Sequence, residues 1–181
     1  MKIIILNPKG GGTKSTTALI LACTLNESGK AFDIIDLDPQ KSLTSWVKRV
    51  GIEPTKGAKY EIIDTYPTLL GDDINKALKE ADQIIIPSGT SIAESEVVAN
   101  SIPTIKERTN GEIRVLWTKV RPNTRSGKNL DRLSEALPCK TFNAFIEYRE
   151  EYQQEFLMYG WKGLKENAKK EAIAFTLELI A

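Results

Sequence analysis

Two lysines, Lys9 and Lys14, flank Gly10-Gly11-Gly12-Thr13, and a hydroxyl follows at once in Ser15. Glycines let a backbone turn tightly and bring several N–H groups against an anion, and the free N–H groups opening a helix add partial positive charge. Such a cradle suits a polyphosphate, with Lys14 reaching the terminal phosphates and the Ser15 hydroxyl ligating magnesium. The apolar run Ile3-Ile4-Ile5-Leu6 precedes the loop and Ala18 to Leu25 follows it, so the glycines are expected where a buried strand gives way to a helix. Three carboxylates close other apolar runs: Asp36 and Asp38 in Asp36-Leu37-Asp38-Pro39-Gln40, and Asp64 in Asp64-Thr65-Tyr66-Pro67. Acids at the tips of parallel strands lie on the side where α/β sheets bind ligands. The residues alone fit capped turns or a simple strand end equally well, because Asp and Pro are common turn formers.

The ordinary Walker pattern G-x-x-x-x-G-K-[ST] is met only in part, since Pro8 and Thr13 occupy its two glycine positions. The stretch satisfies instead K-G-G-x-x-K-[ST], through Lys9, Gly10, Gly11, Lys14 and Ser15. With this signature, with D-x-D-P-Q at 36–40, and with Asp64 where the family typically reads D-x-P-P, the chain resembles the ParA/MinD family of deviant Walker ATPases. The short ParA-type partition ATPases are the branch it resembles most. The resemblance implies a Mg-dependent, weak ATPase with ATP and Mg2+ as cofactors. Lys9, Lys14 and Asp38 are then the catalytic set, Lys9 reaching across a sandwich homodimer and Asp38 positioning the attacking water. Lys9, Gly10, Gly11, Gly12, Thr13, Lys14, Ser15 and Thr16 hold the nucleotide, with Thr16 near the α-phosphate, and Ser15, Asp36 and Asp64 surround the metal. The resemblance also implies an ATP dimer that binds nucleoid DNA without regard to sequence. A small centromere-binding partner of the ParB/ParG type releases it by stimulating hydrolysis. A nucleotide-binding scaffold with little hydrolysis, or a ParA-like protein positioning a cargo other than DNA, stands as the alternative. One position departs from the family pattern, Tyr66 replacing the first proline; Thr13, where the pattern permits variation, is β-branched, and a positive φ, if required there, would be penalised.

The chain's 181 residues, 41% apolar and 27% charged, suffice for one domain with a sizeable core. A single α/β P-loop NTPase domain over 1–181 is expected, a mostly parallel sheet with helices on both faces and no N-terminal helix-turn-helix extension. No run is long and apolar enough to span a membrane, and a cytoplasmic protein is expected. A MinD-like membrane role is disfavoured, since the last helix carries Glu171 and Glu178 without a strongly basic amphipathic end. Histidine is absent, so proton handling and metal binding fall to carboxylates, hydroxyls and lysines. Cys23 and Cys139 show neither metal nor disulfide spacing. The net charge of +1 leaves nucleic-acid binding to a local patch.

Helices are expected over 18–25, 42–50 (closed by Gly51), 72–81, 91–102 (ended or kinked by Pro103) and 163–180. Strands are expected over 3–6, 31–37, 60–63, 83–87 and 113–117, with a late one near 141–146. After the fifth strand comes Thr118-Lys119-Val120-Arg121, where GTP-binding P-loop proteins carry N-K-x-D. Arg121 has only donors and cannot accept from a guanine edge, which favours ATP. Between 119 and 132, five cations face the single acid Asp131. A helix opening at Ser126 would place Lys128 and Arg132 on one face with Arg125 nearby. The DNA candidates are therefore Arg121, Arg125, Lys128 and Arg132, which a solvated basic face explains equally well, joined by Lys165 and Lys169 of the last helix, a helix read mainly as core packing.

Overall fold

The structure is a computed structural model that describes residues 1–11 and 13–181; the expected phosphate-loop residue Gly12 lies outside the described residues. Among the described residues, six strands form one parallel sheet: β1 (Lys2–Ile5), β2 (Phe32–Asp36), β3 (Tyr60–Asp64), β4 (Gln83–Ser88), β5 (Glu112–Trp117) and β6 (Lys140–Thr141). Their order is β2-β3-β1-β4-β5-β6, so the N-terminal strand sits inside the sheet, with Ile3 opposite Ile62 on one side and Gln83 on the other.

Alternation along each strand sorts the isoleucines into two cores. Ile3, Ile5, Ile62, Ile85 and Leu116 pack against α1 (Lys14–Glu27), α2 (Ser42–Val50), α6 (Glu155–Tyr159) and α7 (Glu166–Ile180). Ile4, Ile63, Ile84, Ile86, Val115 and Trp117 pack on the other face against α3 (Asp72–Glu80), α4 (Ile92–Lys106) and α5 (Leu130–Glu135). The expected α/β sandwich is thus present, with helices on both faces. Helix α1 is wedged under the sheet and buried from Thr17 to Leu25, which explains why its sequence is apolar nearly all round. It runs past the expected 25 to Glu27 and is closed by Gly29 at φ +66°, with the Lys30 N–H returning to the Leu25 carbonyl at 2.9 Å.

Three expectations are corrected. Pro103 neither ends nor interrupts α4, which runs on to Lys106; the ring is exposed, and Ile102 and Ile105 on either side are fully buried anchors that hold the last turn. No continuous helix opens at Ser126. A 3₁₀ turn covers Gly127–Asn129, and Asn129 leaves helical geometry at φ −119°, ψ 32°, before α5 begins. Lys128 and Arg132 therefore do not occupy successive turns of one helix. The late strand is reduced to Lys140–Thr141, after which the Phe142 and Ile146 N–H groups bond the Val115 and Trp117 carbonyls at 2.9 Å each and Val120 forms an isolated parallel bridge with Glu147.

Candidate functional site

The carboxyl ends of β1, β2, β3 and β5 converge on a hollow of about 760 Å³ lined by Gly10, Gly11, Thr13 to Thr16, Asp38 to Gln40, Trp46, Pro67, Lys119, Tyr148 and Gln153. Asn7, at the end of β1, is buried and organises the entry to the loop. Its Nδ2 donates to the Pro87 carbonyl at 2.7 Å, tying β1 to β4, and its Oδ1 accepts the Lys9 N–H at 2.8 Å. Lys9 itself is exposed, and among the described residues no carboxylate forms an ion pair with its side chain. Gly11 has φ +73° and Thr13 has φ +58°, so the penalty anticipated for a β-branched residue is real. Thr13 Oγ1 lies 2.9 Å from Thr118 Oγ1, a tertiary contact that helps hold the residue in that conformation.

Lys14 opens α1 and is almost fully buried. Burial lowers the pKa of its ammonium, while the Asp64 and Asp38 carboxylates act in the opposite direction. Asp64 ends β3, is completely buried, and has neither carboxylate oxygen hydrogen-bonded among the described residues. Its carboxyl is pushed up from 3.8 to about 7, chiefly by burial and further by Asp36 and Asp38; the Ser15 hydroxyl and Lys14 offset part of this. A buried carboxylate without partners is costly unless a cation completes it. Among the described residues no cluster of three or more acidic or thiol side chains encloses a ready-made metal cage. The donors therefore fit a magnesium ion that takes one hydroxyl, one carboxylate and otherwise nucleotide oxygens and water.

The other acids divide. Asp36 pairs with Asp64 in the β2–β3 register, but its carboxylate is already engaged. Oδ2 accepts from the Thr44 N–H at 2.9 Å and the Thr44 hydroxyl at 3.0 Å, and Oδ1 accepts the Asp38 N–H at 3.2 Å. Asp36 thus fastens the first turn of α2 and adds negative potential at Asp64. Asp38 lines the hollow, with Oδ1 accepting the Gln40 N–H at 2.9 Å. Trp46, Tyr148 and Gln153 were not singled out by the sequence. They reach the hollow from α2 and from the stretch after β6, and nothing local in their neighbourhoods marks them.

The basic candidates fall into separate places. Arg121 stacks at 4.4 Å over the ring of Tyr148, which lines the first hollow. Arg125 and Arg132 line a second hollow of about 720 Å³ with Thr90, Ile92 and Leu133, and Lys128 is exposed beside them. Lys165, just before α7, and Lys169 within it lie on the opposite face of the sheet; Lys165 Nζ lies 3.8 Å from Glu151, and Lys169 Nζ 5.7 Å from the Trp161 ring. The six cations do not form one surface.

Among known proteins, the model of the CobQ/CobB/MinD/ParA nucleotide binding domain matches residues 3–156. Protein ParA of Rhizobium radiobacter is 25% identical over 148 residues, covering 68% of this chain and 67% of that protein. The maintenance of carboxysome distribution protein A of Gloeobacter kilaueensis is 24% identical over 184 residues, covering 89% and 85%. Among solved structures, a putative plasmid partition protein from Borrelia burgdorferi B31 bound to AMPPNP superposes with a TM-score of 0.76 at 19% identity, over 98% of this chain and 97% of that one.

Proposed function

The chain belongs to the CobQ/CobB/MinD/ParA nucleotide-binding family, and from that premise we propose that it is a ParA-type ATPase of DNA partition, switched by Mg-ATP between a free and a dimeric, DNA-bound form. The observation that carries this reading is a buried Asp64, with neither carboxylate oxygen hydrogen-bonded among the described residues, set beside Lys14 and Ser15 under a glycine loop whose leading lysine forms no ion pair with a described carboxylate. Lys14 offsets charge on the terminal phosphates within its own subunit, and Ser15 and Asp64 hold the metal side. Asp38, at the rim of the hollow, orients the water. Lys9 is held at its backbone by Asn7, and among the described residues no carboxylate pairs with its ammonium, which leaves it available to phosphates bound by a second subunit. When bound, Mg-ATP supplies a phosphoryl group for transfer to water; the protein contributes position and charge. Arg121, stacked on Tyr148 and carrying donors only, supports an adenine rather than a guanine nucleotide.

DNA is the cargo reading, with Arg125, Lys128 and Arg132 as the phosphate contacts and a small ParB/ParG-type protein as the stimulating partner. A protein assembly as cargo is the second reading, favoured by the carboxysome-distribution relative, which spans more of the chain than the ParA relative does. Deleting the gene separates the two: increased plasmid loss supports partition, whereas faithful plasmid inheritance with a mislocalised protein assembly supports the second. The mechanism is tested by Lys9→Ala. Light scattering with Mg-AMPPNP should show a monomer, while calorimetry shows ATP affinity within about threefold of wild type. Equal loss of dimer and affinity would contradict a role in trans.

A further inference from the structure

Helix α2 opens without a side-chain cap of its own. Its N-cap residue, Lys41, sits in the left-handed region at φ +51°, and its side chain caps nothing in the first turn. The N–H of the third helical residue, Thr44, is one of the donors that a helix start leaves unsatisfied. It is taken by Asp36 Oδ2 at 2.9 Å, eight residues back at the end of β2, and the Thr44 hydroxyl donates to the same oxygen at 3.0 Å. The helix dipole favours a carboxylate in this place. The other oxygen of Asp36 accepts the Asp38 N–H at 3.2 Å. One carboxylate thus bolts the strand, the helix and the turn between them, and Asp38 lies in that turn.

Asp38 is held through its own atoms as well. Its carbonyl accepts the Lys41 N–H at 2.9 Å and its Oδ1 accepts the Gln40 N–H at 2.9 Å, while Oδ2 takes no hydrogen bond among the described residues. The frame on either side is firm: Asp36 stands in register with Asp64 of β3, and Leu43 and Val47 bury α2 in the core. A carboxylate that orients a water must keep its place closely, since a misplacement of about 1 Å costs on the order of a hundredfold in rate. Resting on the nucleotide reading above, we propose that Asp36 and Thr44 are positioning residues for the hydrolytic step. Asp36 carries the rigidity of β2 and α2 to the Asp38 backbone, and one Asp38 oxygen is left for the water. Asp36 thereby acts through Asp38 instead of at the metal, since both of its oxygens already accept hydrogen bonds from its own chain.

The test uses the full chain in magnesium buffer. Thr44→Val removes the hydroxyl and keeps the branched shape, whereas Thr44→Ser keeps the hydroxyl. Single-turnover phosphate release from ATP should slow about five- to tenfold in Thr44→Val, with ATP affinity by calorimetry within about twofold of wild type, and Thr44→Ser should recover most of the rate. In the nucleotide-free protein, deuterium exchange of the Asp38 amide, read by NMR, should quicken about fivefold in Thr44→Val and stay near wild type in Thr44→Ser. Asp36→Asn should slow release at least as much, while the magnesium concentration for half-maximal rate stays within about threefold of wild type. The inference is overturned if Thr44→Val releases phosphate within about twofold of wild type, if Thr44→Ser is no better than Thr44→Val, or if Asp38 exchange is unaltered. It is overturned equally if Asp36→Asn needs about tenfold more magnesium and regains the full rate at saturating metal, the behaviour of a metal residue. Absence of hydrolysis by the wild-type chain would remove the nucleotide reading and this inference together; an active wild type with any of the overturning results removes this inference alone.

Discussion

The Lys14 ammonium and the Asp64 carboxyl share one buried floor beneath the phosphate loop, each favouring the other's charged form while burial favours neutrality in both. The burial effect is the larger for each group. The site is therefore electrostatically incomplete, and under the proposed function a metal with a polyphosphate would supply the missing positive and negative charges.

Replacing Asp64 by Asn should stabilise the nucleotide-free protein while abolishing the stabilisation that Mg-ATP gives. The gain depends on pH in a defined sense. Below the ordinary value of 3.8 the carboxyl is protonated in folded and unfolded chains alike, and there is no penalty to relieve. Between there and about 7 the unfolded chain ionises while the folded one does not, so the penalty grows with pH, and above about 7 it is constant. Asp64→Asn should thus raise apo stability by on the order of 1–3 kcal/mol at pH 8 and by little at pH 4.5. Urea unfolding at the two pH values measures this; an equal gain at both would refute it.

If Arg125, Lys128 and Arg132 contact DNA phosphates, the triple alanine variant should lose affinity for duplexes of any sequence. The slope of log K against log salt should fall by about 2–3, since each phosphate contact contributes about 0.9. Fluorescence anisotropy on two unrelated duplexes across a salt series reads both quantities. An unchanged slope would move the DNA surface elsewhere, for example to Lys165 and Lys169 on the opposite face.

Gly127 sits where the 3₁₀ turn of this basic segment touches the chain after β5. A Cβ there would lie 2.1 Å from the Arg121 carbonyl oxygen and 2.7 Å from its carbon. Because the obstacle is backbone, Gly127→Ala should cost about 2–4 kcal/mol and lower the melting temperature by about 5–10 °C. Calorimetry checks this, and a shift under 2 °C would show that the segment adjusts freely.

The elements that could be read from the sequence are those whose local pattern and tertiary environment agree. Helix α2 was bounded at Ser42 and Val50 because Gly51 at φ +73° is the cap its position suggested. The strands were legible because both of their faces are covered, so continuous isoleucine runs had no competing explanation. Pro103 misled, since a proline signals the loss of one hydrogen bond but not the packing of Ile102 and Ile105 that outweighs it. The phosphate loop and its acids stand in contiguous motifs and were visible. Asn7, Trp46, Tyr148 and Lys119 were not, because each acquires its place through contacts 80 or more residues away in sequence or across the hollow. The engaged carboxylate of Asp36 was hidden for the same reason: only the folded turn brings Thr44 to it.

Placing β1 between β3 and β4 has a consequence for biosynthesis. The strand that carries the phosphate loop is translated before either of its neighbours, and cannot complete a ladder until residues 60–64 and 83–88 have been made. A nascent chain paused before Tyr60 exposes an isoleucine-rich ribbon with both edges open, and the ability to grip a nucleotide arises late, once the middle of the polypeptide has left the ribosome.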